Sequence, residues 1–189
     1  QSKADIKRYG DYEKAIKRWN GNNHNQTGYS SSEVVEAKSY GTLKREERKS
    51  LVQKAINQKD TVFAVDKPGN PFASVARMYP KDDKTYQVFM HGTNKEVELY
   101  DTMITPKVLA GIIKQRSDYE AGKPITLMSC STGKEIDGEE CFAKQLANIM
   151  KTRVYAPDDI LYLIKEPGKK IRMEVGDKGN TMLIPFDPD

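Results

Sequence analysis

Three apolar runs of strand length, at residues 86–90, 125–128 and 153–156, alternate with two stretches of helical periodicity, and this alternation leaves the chain few architectures. In the first helical stretch Val108, Leu109, Ile112 and Ile113 share one face, with Thr105 placed to cap and Pro106 at the first helical position. In the second, Phe142, Leu146, Ile149 and Met150 face inward behind acidic residues at 137–140. Helices this short return the chain to the same end of a sheet, so the three strands are expected to pair in parallel through right-handed crossovers. All three then end on one edge, which is where open α/β sheets bind ligands. The predicted fold class is α/β, a three-layer and mostly parallel sheet.

The flanking segments read as additions to that unit. Ile6, Tyr9, Tyr12, Ile16 and Trp19 form the stripe of an amphipathic helix over residues 5–19, followed by a polar loop at 21–32 that leaves His24 exposed. Helices are predicted at 31–39 and at 42–57, the latter capped by Thr42 and burying Leu43, Leu51, Val52 and Ile56. Strands are predicted at 61–66 and 72–79 around a turn at 67–71. Three β-like runs at 161–164, 171–175 and 181–184, punctuated by Gly168, Gly176 and Gly179, predict an antiparallel C-terminal extension. Sixty residues with so few apolar stripes do not enclose a core of their own. Residues 1–60 are therefore expected to be a helical segment packed on a main α/β domain of residues 61–189.

Composition narrows the partners. With 37% hydrophobic against 31% charged residues and a mean hydropathy of -0.74, the surface must be strongly polar. No run approaches the ~18 apolar residues of a membrane-spanning helix, and the first residues lack the apolar core of a signal peptide. The chain opens on Gln1 rather than Met, which leads to the expectation of a domain released from something longer. Its net charge of +4 is concentrated early: residues 1–60 carry 13 basic and 8 acidic side chains, and the remainder 18 and 19. Nucleic acid is accordingly not an expected partner of the near-neutral α/β part. Two cysteines and two histidines, with neither a Cys-x-x-Cys nor a His-Glu-x-x-His spacing, predict no metal and no cofactor.

The chemistry resides at the strand ends. His91 and Cys130 lie 39 residues apart, each just past the carboxyl end of one of two strands separated by a single helix. Parallel pairing brings them to one edge, where an imidazole beside a thiol can generate the thiolate nucleophile. Side chains about 4 to 7 Å apart in a cleft open to solvent are the expectation, because such pairs tighten only on substrate. The amides of Gly92 and Cys130 are candidate oxyanion donors, and Ser129 and Ser131 candidate lining of a small polar substrate pocket. A lone cysteine after an apolar strand is more often a small core residue. The matching histidine is what raises the catalytic alternative to parity with it. Cys141 reads as helix core, Glu139 and Glu140 as helix-start charge, and Gly133-Lys134 as a phosphate loop lacking its first glycine.

An apolar strand closing in His91-Gly92, then a helix, then an apolar strand closing in Ser129-Cys130, resembles the caspase-like cysteine peptidases of clan CD. A second resemblance covers about 70 residues: Met90-His91-Gly92, Thr105-Pro106 with Leu109, the stretch from Pro124 to Gly133, Phe142 to Ala147, and Val154 to Pro157. In these it is similar to C-terminal toxin domains of bacterial polymorphic toxins. The resemblance implies a caspase-like (or flavodoxin-like) three-layer fold, with His91 and Cys130 as a peptidase dyad acting on a protein substrate. It further implies delivery into a target cell on a larger secreted bacterial protein and neutralisation by a cognate immunity protein. Two alternatives come from the residues themselves. One is a toxin of another hydrolase or transferase class, suggested by the basic segment before residue 60 and the Ser/Thr/Gly run after Cys130. The other is a non-enzymatic binding module on the same scaffold.

Overall fold

The structure, a computed structural model, describes residues 27–31 and 37–189. In chain order the elements are β1 (Thr27–Ser30), β2 (Lys38–Ser39), a 3-10 turn (Tyr40–Thr42), α1 (Arg45–Asn57), α2 (Phe72–Ala76), β3 (Tyr86–Phe89), β4 (His91–Gly92), β5 (Val97–Leu99) and β6 (Thr102–Ile104). There follow α3 (Pro106–Gln115), β7 (Ile125–Met128), α4 (Phe142–Met150), β8 (Val154–Ala156), β9 (Leu161–Lys165), β10 (Arg172–Val175) and β11 (Ile184–Phe186).

The three expected core strands are adjacent and parallel: the central sheet runs β11-β8-β7-β3, with β11 antiparallel at the edge. The register pairs Tyr86 with Ile125 and Phe89 with Met128, so residues 39 apart lie level on neighbouring strands. Alternation then divides the side chains between two cores. Tyr86, Val88, Ile125 and Leu127 face a large cluster with α3, α4 and the apolar side of α1. Phe89 and Met128 face a second cluster with Phe72, Val75, Leu161, Leu163 and Ile171. Thr105 caps α3 as expected, its hydroxyl accepting from the Val108 N–H at 3.4 Å, with Pro106 in the first turn.

Two smaller sheets flank the centre, so the expectation of one mostly parallel sheet is corrected: among the described residues three sheets form, and antiparallel pairs outnumber parallel ones because β4, β5 and β6, and likewise β9 and β10, join by short turns. After Phe89 the chain turns into β4, β5 and β6, which with β2 form a sheet of order β2-β6-β5-β4. Across the second cluster lies an antiparallel outer sheet, β1-β9-β10. The C-terminal residues are clipped down by Arg153 on Asp187 at 2.6 Å and Lys144 on Asp189 at 2.8 Å.

Several expected elements differ. Residues 72–79 were predicted as a strand, but Phe72–Ala76 is helical, because its alanines favour a helix and the Val75 N–H finds the Pro71 carbonyl at 3.0 Å. Residues 61–66 were predicted as a strand, but only Val62 makes an isolated bridge, to Phe89, with the Phe63 carbonyl also accepting from the Tyr100 N–H at 3.0 Å. Thr42 does not cap a helix: its hydroxyl donates to the Ser39 carbonyl, and α1 starts after Lys44, whose N–H donates to the Glu47 carboxylate at 3.1 Å. In place of a helix at 31–39, Lys38–Ser39 pairs with β6, residues 32–36 lying outside the described residues. Thr27–Ser30, predicted as loop, is β1 because the edge of β9 supplies its partners. The last strand slips to Ile184–Phe186 and joins β8 rather than the tail hairpin. The predicted helix at 5–19 and His24 lie outside the described residues. Among the described residues no helix is long and apolar enough to cross a membrane.

Candidate active site

The 39-residue register offset between β3 and β7 equals the spacing of His91 and Cys130. Both follow the strand ends on the face of Phe89 and Met128, beside the second core. The His91 ring packs against Phe72 with centroids 5.2 Å apart. No hydrogen bond joins the pair: Cys130 Sγ lies 3.7 Å from Ser131 Oγ and 3.9 Å from the Asp159 carbonyl.

The expected solvent-open cleft is absent, and this expectation is corrected. His91 is 0% exposed and Cys130 2%. Against them, among other neighbours, lies a segment distant in sequence, Ser30 and Ser31 at the end of β1, itself fully buried. The Ser31 N–H donates to the Leu161 carbonyl at 3.2 Å, and the Ser31 carbonyl accepts from the Gly92 N–H at 3.1 Å. The Ser30 carbonyl accepts from the Asn70 side-chain amide at 2.9 Å. The predicted oxyanion donor Gly92 is therefore already occupied by a carbonyl of the chain itself. Gly92 is also tightly enclosed, since a Cβ there would overlap Ser129 Oγ and crowd Thr132 and Val97, so it provides no open approach for substrate.

Burial leaves the dyad unionised. Desolvation, and then the Lys67 ammonium, push the His91 imidazole down to about 4, although the Ser31 and Val65 carbonyls and Asp66 pull the other way. Burial pushes the Cys130 thiol up to about 12, against the Leu161 backbone and the Ser131 and Ser31 hydroxyls that lower it. In this conformation the pair is a neutral imidazole and a thiol, not the expected thiolate and imidazolium.

The surroundings are nonetheless unlike an ordinary core. Asn70 Oδ1 and Ser129 Oγ are buried without a hydrogen-bond partner, and neither the His91 ring nitrogens nor Ser31 Oγ make a bond of good geometry, although the Ser31 and Val65 carbonyls stand near the ring and Ser31 Oγ near the Cys130 thiol. Such groups are few in a folded protein, and each costs about 1 to 3 kcal/mol. Beside them Glu98, the register partner of His91, is fully buried and holds Lys67 at 2.7 Å. Ser129 lies inside this polar cluster, while Ser131 sits at its margin, half-buried with φ 60°.

The sequence reading missed Asn70, Ser31, Lys67 and Glu98. Asn70 and Lys67 were assigned only to a turn, and their backbones do form one, Asn70 N–H to Lys67 carbonyl at 2.8 Å. Cys141 is buried at the N-cap of α4, and the helix starts too late for Glu139 and Glu140 to be its first-turn charge: Glu139 bridges Ile136 and both precede the cap. The Gly133 amide is committed to the Pro157 carbonyl at 2.8 Å and a Cβ there would meet Phe186, so no phosphate cradle forms. Among the described residues no group of His, Cys, Asp and Glu could hold a metal ion.

The buried histidine has a measurable consequence. The unfolded chain protonates His91 near 6.5 and the folded chain only near 4, so the unfolded state binds more protons between these values. Stability is expected to be undiminished by this group above pH 6.5 and to fall by roughly 3 kcal/mol as pH drops to 4. Urea unfolding at pH 4 to 7 checks it, and His91→Leu should flatten the profile; an unchanged slope in that variant would assign the acid sensitivity to carboxylates instead.

Fold and site together define an α/β domain with a closed polar site at the carboxyl edge of its central sheet, centred on a histidine and a cysteine. The chain belongs to the family described as a domain of unknown function (DUF8616), whose model matches residues 52–183. No curated protein and no solved structure matches it.

Proposed function

We propose that the chain is a cysteine endopeptidase of caspase-like layout, with Cys130 as nucleophile and His91 as the group that accepts its proton and then protonates the leaving amine. The observation that carries this is the concentration of buried polar atoms, several of them short of a well-formed hydrogen bond, around a histidine and a cysteine level on adjacent parallel strands. A fold pays for such atoms where function needs them. The Gly92 N–H, bonded to a peptide carbonyl, already makes the contact an oxyanion donor would make to substrate. With the toxin-domain resemblance come its other elements: delivery on a larger bacterial protein and a cognate immunity protein as partner.

The test is incubation of the full chain with unfolded protein substrates and mapping of new N-termini, with Cys130→Ala as the control. New termini that require Cys130 are expected. Their absence from every variant whose Cys130 reacts freely with iodoacetamide would end the proposal, since nucleophile and access would then both be present without chemistry.

A second reading, a non-enzymatic binding module, is favoured by one observation: the thiol is sealed and un-ionised. A folded Cys130→Ala chain with its full biological effect would select it.

A further inference from the structure

Residues 30 and 31 are held in an unusual way for a strand end. The Ser30 carbonyl meets the Asn70 amide, the Ser31 N–H meets the Leu161 carbonyl, and the Ser31 carbonyl meets the Gly92 N–H. One donor comes from the candidate oxyanion site, one acceptor from the start of β9, and one donor from a buried side chain. Upstream, β1 lies antiparallel on β9, from Thr27 opposite Lys165 to Ser30 opposite Tyr162. An extended peptide approaching Cys130 would be gripped by the same groups in the same way.

We propose that residues 27–31 are a built-in strap occupying the substrate's own position, and that the site works only when this strap lifts off β9. This rests on the peptidase proposal for what the site does, but not for what covers it. Lifting the strap uncovers the edge of β9, the Asn70 amide and the Gly92 N–H, which then receive an extended peptide in its place. Ser31 is fully buried against the dyad, so the substrate residue whose carbonyl meets Gly92 must be small, of the size of serine, alanine or glycine. The site's poorly satisfied atoms acquire a reason: Asn70 Oδ1, Ser129 Oγ and the His91 nitrogens face a ligand position that the strap only partly imitates.

The test reads Cys130 accessibility rather than activity. In full-length chain carrying Cys141→Ser, iodoacetamide labelling of Cys130 is followed by peptide mass spectrometry at neutral pH. Ser31→Pro deletes the N–H that bonds Leu161, and Asn70→Ala deletes the tie to Ser30. Each is expected to label at least tenfold faster while thermal melts report a folded protein. A cross-link through Thr27→Cys and Lys165→Cys, which are register partners, is expected to slow labelling at least tenfold, reversibly on reduction. Should a loosened variant fail to fold, the cross-linked protein alone decides. Labelling as fast with the strap locked as with it free overturns the proposal, as does unchanged labelling in folded loosened variants. Accelerated labelling without any Cys130-dependent cleavage leaves the strap standing and removes the peptidase.

Discussion

Cys130→Ala is expected to abolish peptide-bond cleavage, a loss of at least about 10³-fold, and His91→Gln to cost nearly as much. On the peptidase proposal the two groups act on one proton and one carbonyl, so the double variant is expected to be no worse than the single ones. Removing the thiol deletes the covalent intermediate, whereas removing the imidazole leaves a thiol that burial already holds far above neutral pH. Each variant must be shown to fold. Cys130→Ala removes one buried sulfur and should cost only about 1 kcal/mol, while His91→Gln keeps volume beside Phe72 that alanine would empty. Additive losses in the double variant would show that the residues do not form a unit, and retained cleavage in Cys130→Ala would dismiss the nucleophile.

Arg116→Met is expected to be the most destabilising single substitution outside the site, costing about 3 to 5 kcal/mol. The guanidinium is 4% exposed and lies 5.3 Å from the Phe63 ring centroid. It donates to the Ala55 carbonyl at 2.6 Å, the Asp60 carbonyl at 3.2 Å, the Tyr86 hydroxyl at 2.7 Å and both oxygens of Asp118 at 3.1 and 2.7 Å. One planar fork thus ties the end of α1, the segment leading to β3, and β3 itself. Methionine fills much of the volume yet leaves the Ala55 carbonyl and the Tyr86 hydroxyl without their buried donor, while Asp118, 39% exposed, turns to water. Lysine keeps the charge but reaches only some of them, and is expected to recover less than half of the loss. Urea denaturation of the three proteins checks this; a loss under about 1 kcal/mol in Arg116→Met would mean that water serves those carbonyls.

The central sheet was legible because its signal is local. Continuous apolar runs such as residues 125–128, bounded by Pro124 and Ser129, have no amphipathic alternative, and the intervening helices announce themselves by Thr105-Pro106 and by spacing. Residues 72–79 were misjudged because a short run of small and apolar side chains fits either period, and the Val75 to Pro71 hydrogen bond that decides it is invisible in sequence. At the site, His91 and Cys130 could be paired because one parallel register links them. Ser31, Asn70 and Glu98 could not, since each reaches the site from a separate segment through a contact that no spacing encodes. Burial was illegible for the same reason: part of the enclosure comes from residues 30 and 31, some 60 positions before His91 and 100 before Cys130.

The placement of β11 has a consequence for how the molecule meets other chains. An exposed sheet margin is an invitation to strand exchange and fibre growth, and here β8 is shielded by a three-residue strand. Its middle residue, Pro185, has no amide hydrogen to offer a newcomer. On that side the sheet is terminated, and in the outer sheet β9 is likewise flanked on both sides, by β1 and β10. The berth beside β9 is taken by the chain's own β1, so on the strap proposal any strand that enters there, foreign or substrate, must first displace it.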